Sequence, residues 1–124
     1  MASGTLIAES VRIGAALDTI PFTATRIERV CAELSPAQRS NRLPEMWTLV
    51  GLEVADGEAA RLADALAGVL DTPGWYADLH TADRSFVVFP GSVLAYAHGD
   101  TAGRAKAEAY ARAHGVPDAQ IDWP

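Results

Sequence analysis

The chain has 124 residues, of which 49% are apolar and 21% are charged, a balance that excludes an intrinsically disordered chain. Its 16 acidic residues outnumber its 10 lysines and arginines, and the net charge of −6 argues against a partner held mainly by phosphate neutralisation. Although 24 residues are alanine, enough larger apolar residues remain for one core. We therefore expect a single domain over residues 1–124.

The N-terminal third of the chain has the least regular pattern. Thr5 to Leu17 fits either a strand or a helical stripe, and we favour a strand because Gly14 and Pro21 interrupt the segment. Ala24 to Glu33 combines β-forming residues with charges, which predicts a strand at a sheet edge or with a solvated face. Ser35 to Glu45 contains two prolines and two arginines and is the longest predicted loop.

Two helices are predicted farther along the chain, each after a strand. Met46 to Val54 is a predicted strand that leads into a helix from about Gly57 to Leu70, with Asp56 as its N-cap. The second helix is predicted from about Thr101 to His114, with Asp100 as its N-cap. Its apolar stripe consists almost entirely of alanine.

A meander of three short strands lies between the two predicted helices. The strands are predicted at Trp75 to His80, Ser85 to Phe89 and Ser92 to Ala97. The turn lengths pair His80 with Ser85, Asp78 with Val87, and Val87 with Leu94. Because strand side chains alternate, one face of the meander is entirely apolar and must be covered. The two helices are its simplest cover.

These elements predict an α+β fold. We expect a single antiparallel or mixed sheet of about five to six strands with the two helices packed on one face. From Met46 onwards the order of elements is partly ferredoxin-like, although its final strand is missing.

The opposite face of the meander collects polar and aromatic side chains. Its candidate ligand-or-partner residues are Tyr76, Asp78, His80, Ser85, Phe89 and Tyr96. The favoured hypothesis is an interaction module that forms a homo-oligomer, a dimer, through this exposed sheet face. The alternative is a small-molecule binding protein or small enzyme with its site on the same face. That alternative predicts a concave cover from the N-terminal strands or the Ser35–Glu45 loop.

No motif in the chain identifies a catalytic or cofactor site. Asp78, His80 and His98 would offer oxygen and nitrogen ligands to a divalent ion, but Asp–x–His spacing is common by chance. We therefore expect no metal and no cofactor, and acid–base use of His80 with Asp78 stays open. Nucleic acid is not an expected partner either, since acidic residues dilute the N-terminal arginines, which are Arg26, Arg29, Arg39 and Arg42.

Cysteine usage and the absence of targeting patterns suggest a cytoplasmic protein with no membrane partner. Cys31 is the only cysteine, so no disulfide forms within the chain, and we expect it to be a small buried residue on a strand. The N-terminus lacks the pattern of a signal peptide, and no apolar run is long enough to span a bilayer. Trp123 is expected either to dock on the fold or to contact a partner.

Several runs in the C-terminal half are shared with a known group of proteins. They are Pro73 to Leu79, Phe86 to Phe89, Tyr96, Gly99-Asp100, Gly115 to Pro117 and Asp122-Trp123. In these runs the chain resembles a family of small, uncharacterised bacterial proteins. Near the end of the third strand of the meander, that family has an aromatic and a basic residue, and His98 of this chain departs from that pattern. The departure weakens a metal site built on His98. The resemblance implies one folded unit and carries no activity.

Overall fold

Six strands form one sheet in the computed structural model, which describes residues 1–123. The strands are β1 Ala2–Ile7, β2 Thr23–Cys31, β3 Met46–Val54, β4 Ala77–His80, β5 Arg84–Phe89 and β6 Ser92–Ala97. Their order across the sheet is β2-β3-β1-β4-β5-β6, and all five pairings are antiparallel. The predicted α+β class and single antiparallel sheet are confirmed.

Three helices accompany the sheet. They are α1 Pro36–Ser40, α2 Ala59–Ala67 and α3 Thr101–Ala113. The helix α3 begins as predicted, because the Asp100 side chain accepts a hydrogen bond from the Gly103 N–H at 3.0 Å. The helix α2 begins later than predicted, because Asp56–Glu58 form a 3₁₀ turn ahead of it. Within the part of the chain that is described, no helix is long and apolar enough to cross a membrane.

The first strand of the chain lies at the centre of the sheet, between β3 and β4. Only the first part of the strand predicted over Thr5 to Leu17 is therefore correct, since a 3₁₀ turn follows β1 at Ala8–Ser10. Because β3 and β4 both run antiparallel to β1, they are parallel to each other. The helix α2 connects these two strands, and β1 lies between them in the sheet. This split β-α-β arrangement is the ferredoxin-like part of the fold.

The contact between β1 and β4 is unusually close at Gly4. A Cβ atom built on Gly4 would lie 1.8 Å from the Asp78 carbonyl oxygen, so no other residue fits without moving one strand. The next residue, Thr5, pairs with Asp78, and both side chains lie on the sheet face away from α2.

The register of the meander is as predicted. Asp78 pairs with Val87 and His80 with Ser85, while Val87 pairs in turn with Leu94. The apolar face of the meander is covered by α2, whose Leu62 is fully buried. The main members of this core are Leu52, Leu62, Leu66, Leu79, Phe86 and Val88.

The prediction that both helices pack on one face is wrong, because α3 covers the opposite face. Its buried residues are alanines, Ala107 and Ala111, which pack with Val87, Phe89 and Tyr96. The helix lies so close to β6 that a Cβ atom on Gly103 would be 2.6 Å from the Tyr96 Cβ. We expected this face to be exposed because it carries polar residues, but the part of the face that α3 covers is apolar.

A third cluster closes the other end of the same sheet face. The segment around α1 brings Leu34 and Leu43 against Ile7, Trp47 and Trp75. The two indole rings lie 5.3 Å apart between centroids. The long loop predicted here therefore contains a short helix, and it covers the sheet rather than extending into solvent.

The strand β2 forms one edge of the sheet, and all its residues except Val30 are exposed. Ile27 is 72% exposed. The prediction of an edge strand from Ala24 to Glu33 is confirmed. The prediction that Cys31 is buried is wrong, since the thiol lies at the exposed end of this uncovered strand.

Candidate functional site

A groove of about 580 Å³ crosses the sheet face opposite α2, between the segment around α1 and the C-terminal segment. Its floor consists of side chains from β1, β3 and β4, and its walls come from β2, from the residues after β2 and from residues 119–122. The lining residues are Thr5, Ile7, Arg26, Val30, Ala32, Glu33, Trp47, Leu49, Tyr76, Asp78, His80, Ala119, Gln120 and Asp122. The volume lies in the range of small-molecule sites, roughly 300–1,000 Å³.

The segment around α1 and the C-terminal segment, which lie on either side of the groove, are joined by a reciprocal amide pair. Gln38 Nε2 donates to Gln120 Oε1 at 3.0 Å, and Gln120 Nε2 donates to Gln38 Oε1 at 3.2 Å. Gln38 is buried, so this pair is shielded from competing water. Ser35 holds Gln38 in place through a capping box at the start of α1. The width of the groove is therefore set by tertiary contacts.

Tyr76 attaches the C-terminal segment to the sheet. Its hydroxyl lies 2.8 Å from Asp122 Oδ1 and also contacts the Gln120 carbonyl, and its ring packs edge-on against Trp123 at 5.2 Å. Burial, together with the Asp122 carboxylate, raises the pKa of Tyr76, so the phenol stays protonated and can donate. Trp123 is 2% exposed, which confirms the first of the two expectations, that it docks on the fold.

The carboxyl group of Asp78, at the floor of the groove, has a raised pKa. Burial, and then the negative charge of Asp122, raise the pKa of Asp78 to about 7, although the backbone amide of Thr5 acts in the opposite direction. His80 Nδ1 lies 3.8 Å from Asp78 Oδ2, which is longer than a hydrogen bond. A carboxyl group that ionises near neutral pH can exchange a proton with a bound molecule or bind a cation after losing its own.

Only half of the predicted site residues line this groove. Tyr76, Asp78 and His80 do, and their assignment to a site stays a prediction. Ser85, Phe89 and Tyr96 lie on the same sheet face but are at most 4% exposed. The helix α3 covers Phe89 and Tyr96, and the Ser85 hydroxyl lies 2.9 Å from His98 Nε2. As buried residues they do not form a surface for a ligand or a partner.

The cover expected from the N-terminal strands corresponds to the wall formed by β2 and the residues after it, whereas sequence reasoning missed the C-terminal wall and the contacts that hold it. The Tyr76–Asp122 contact joins residues 46 positions apart, and the Gln38–Gln120 contact joins residues 82 apart. No local pattern records contacts at such separations. The resemblance that included Asp122 and Trp123 implied one folded unit and did not give the position of this segment.

His98 does not join His80 in a metal site. Its Nε2 lies 2.9 Å from the Ser85 hydroxyl, and its Nδ1 lies 3.1 Å from the Ala82 carbonyl oxygen, so both ring nitrogens have partners within the hairpin. Among residues 1–123, no group of three or more His, Cys, Asp or Glu side chains is placed to hold a metal ion.

Comparison with known proteins gives one partial similarity. No family model matches the chain, and no solved structure matches it. Over 71 residues the chain is 38% identical to a protein named hydroxyacylglutathione hydrolase from Rhodopseudomonas palustris (strain BisA53). The matched stretch covers 57% of this chain and 24% of that protein, so the similarity concerns a minor part of the relative.

Proposed function

We propose that this protein binds a small molecule in the groove over Asp78. The observation that carries the proposal is the combination of volume and lining, a concave space of about 580 Å³ whose floor and walls both combine apolar side chains with polar ones. Binding sites for small molecules have this composition, in which apolar contacts supply affinity and a few polar groups orient the ligand.

The polar groups of the groove are suited to orienting a ligand. Asp78 lies at the floor with its side chain only 16% exposed, and the side chain of His80 beside it is 38% exposed. Leu49 and Ile7 supply an apolar surface next to these two residues. A ligand lying on this floor would therefore meet polar and apolar groups side by side.

A fragment screen by two-dimensional amide NMR tests this proposal. We expect small fragments to shift the amide resonances of groove residues such as Thr5 and His80, and to leave those of α2 unchanged. The name of the partial relative adds hydroxyacylglutathione to the compounds screened. Shifts confined to surfaces outside the groove, or no shifts at millimolar fragment, would contradict the proposal.

A pair of tryptophan variants provides the control for the screen. Ala119→Trp places a large side chain at an exposed position of the groove wall, whereas Ala109→Trp places one on the exposed side of α3, outside the groove. We expect Ala119→Trp to abolish the fragment-induced shifts and Ala109→Trp to retain them. Equal binding by both variants would place the fragments elsewhere.

A second candidate function is dimerisation, through the edge of the sheet rather than its face. The strand β2 is paired on one side only, and an unpaired edge presents free backbone donors and acceptors. An antiparallel two-fold pairing centred on Ile27 would set Arg26 opposite Glu28 of the partner subunit, and would cover both exposed isoleucines. A reducing cytoplasm, the predicted location, would keep the nearby Cys31 thiol free.

Measurement of solution mass tests this dimer. We expect wild type to have twice the monomer mass of 13.1 kDa, and Ile27→Lys to be monomeric because it places like charges face to face. Ile13→Lys is the matched control, since Ile13 is fully exposed and lies outside β2. A wild-type monomer at high protein concentration would exclude dimerisation through β2.

A further inference from the structure

We infer that the ligand of the groove is a small organic cation, a protonated amine on an apolar body, whose ammonium group lies between Asp78 and Asp122. This inference rests on the proposed function, since it specifies which class of molecule the groove binds.

The charges that line the groove favour a cation. Among residues 1–123, three carboxylates line it, those of Asp78, Asp122 and Glu33, against one guanidinium, that of Arg26. Arg26 also lies 3.4 Å from Glu28 on the same strand, which offsets its charge. An anionic ligand would therefore be repelled by most of the groove, whereas a cation would be attracted.

Asp78 and Asp122 leave acceptor oxygens for an ammonium group. Among the described residues, Asp78 has no ion-pair partner apart from His80, at 3.8 Å. Asp122 uses Oδ1 for the Tyr76 hydroxyl, which leaves Oδ2 to accept from a ligand. The two carboxylates also repel each other, and this repulsion adds to the effect of burial in raising the pKa of Asp78. A cation placed between them would remove that repulsion and form charge-assisted hydrogen bonds.

The remaining lining favours an organic cation over a metal ion. The described residues contain no set of three ligands for a metal, and the groove is far larger than an ion requires. Trp47 and Tyr76 bring aromatic rings to its surface, which can contact a cation or its apolar body. Ile7 and Leu49 extend the apolar surface away from the carboxylates.

Three probes of similar shape and different charge test the inference. Binding of phenethylammonium, 2-phenylethanol and 3-phenylpropionate would be measured by calorimetry or NMR titration at pH 8. We expect the ammonium probe to bind about tenfold or more tightly than the alcohol, and the carboxylate probe to bind least. If the alcohol or carboxylate binds the groove as tightly as the amine, the cation inference is wrong and the proposed function stands. If the groove binds neither the probes nor any screened fragment, both are wrong.

Two variants with the same change of charge identify the carboxylate that binds. Asp78→Asn removes the charge at the groove floor, and Asp64→Asn removes one at an exposed position of α2 on the other side of the sheet. We expect Asp78→Asn to weaken phenethylammonium about tenfold and to leave 2-phenylethanol unchanged. Asp64→Asn should leave both affinities unchanged. An equal loss of amine affinity in the two variants would show that only net charge matters and would overturn the inference.

The dependence of amine binding on pH provides an independent measurement. We expect the affinity of wild type for phenethylammonium to rise between pH 5.5 and 8, because a protonated Asp78 cannot pair with the ammonium. Asp122, Glu33, His80, Arg26 and Tyr76 also face the groove, so the rise is compared with that of Asp78→Asn. A steeper rise in wild type supports a role for Asp78, and parallel curves would contradict it.

Discussion

Asp78→Asn is expected to stabilise the folded protein at pH 8 and to flatten the dependence of its stability on pH. In the folded state the pKa of Asp78 is raised to about 7, whereas the unfolded chain has the ordinary value of 3.8. Between these two values the folded state binds more protons than the unfolded state. The free energy of unfolding therefore falls as pH rises from about 4 to about 7. Because asparagine does not ionise, the variant does not lose this stability as the pH rises.

The expected size of the effect is large for a single isosteric substitution. The difference in pKa sets an upper limit of about 4 kcal/mol for the stability lost by wild type above pH 7. An increase of only about 1 kcal/mol in the free energy of unfolding would raise the melting temperature of a domain of this size by about 4 °C. Thermal unfolding of wild type, Asp78→Asn and Asp64→Asn from pH 4 to pH 8 measures how the stability of each protein depends on pH. If the curve of Asp78→Asn runs parallel to that of wild type, the ionisation of Asp78 is not coupled to folding.

The same variant connects stability with the proposed ligand. A buried carboxylate that destabilises the folded chain is kept most readily where it is needed for binding. Asp78→Asn should therefore be more stable than wild type and bind amines less well. A bound amine should raise the melting temperature of wild type more than that of the variant, since a ligand stabilises the state to which it binds.

Phe89→Ala is expected to cause the largest loss of stability among the residues that we predicted to form a ligand or partner face. Phe89 is fully buried, and its ring centroid lies 4.7 Å from that of Tyr110 on α3 and 6.5 Å from that of Trp123. Truncation of a buried phenylalanine leaves a cavity and costs about 3–5 kcal/mol. That is a large share of the total stability of a domain, which is about 5–15 kcal/mol.

Urea denaturation of Phe89→Ala measures this loss, with Ile13→Ala as the control at a fully exposed position. We expect the control to change the free energy of unfolding by about 0.5 kcal/mol at most. The variant should remain in the same oligomeric state as wild type, because Phe89 faces α3. A loss below about 1 kcal/mol would mean that α3 does not cover this face tightly.

The elements with local signals were predictable from the sequence. The turns of the meander are short, so their length alone sets the pairing of Asp78 with Val87 and of Val87 with Leu94. Asp100 signals the start of α3 because its side chain bonds to a backbone amide three residues later. Each of these features depends on residues close together in the chain.

The position of α3 and the C-terminal wall of the groove were not predictable in this way. One sheet face carries Asp78 and His80 on β4 and Val87 and Phe89 on the neighbouring β5, and alternation cannot show that a helix covers the residues of β5 and not those of β4. The Gln38–Gln120 pair likewise joins two segments that are 82 residues apart in the chain. The groove is a product of tertiary structure and has no motif of its own.

The central position of β1 has a consequence for the order of folding. Both neighbours of β1 come later in the chain, with Ala2 paired to Val54 and Ser3 paired to His80. The β5–β6 hairpin can form by closing a short loop, whereas β1 must join partners across large separations, which is slower. If the floor of the groove forms after the folding transition state, substitutions at Thr5 and Asp78 will change the unfolding rate more than the refolding rate. The ligand would then bind only to molecules that have completed the last step of folding.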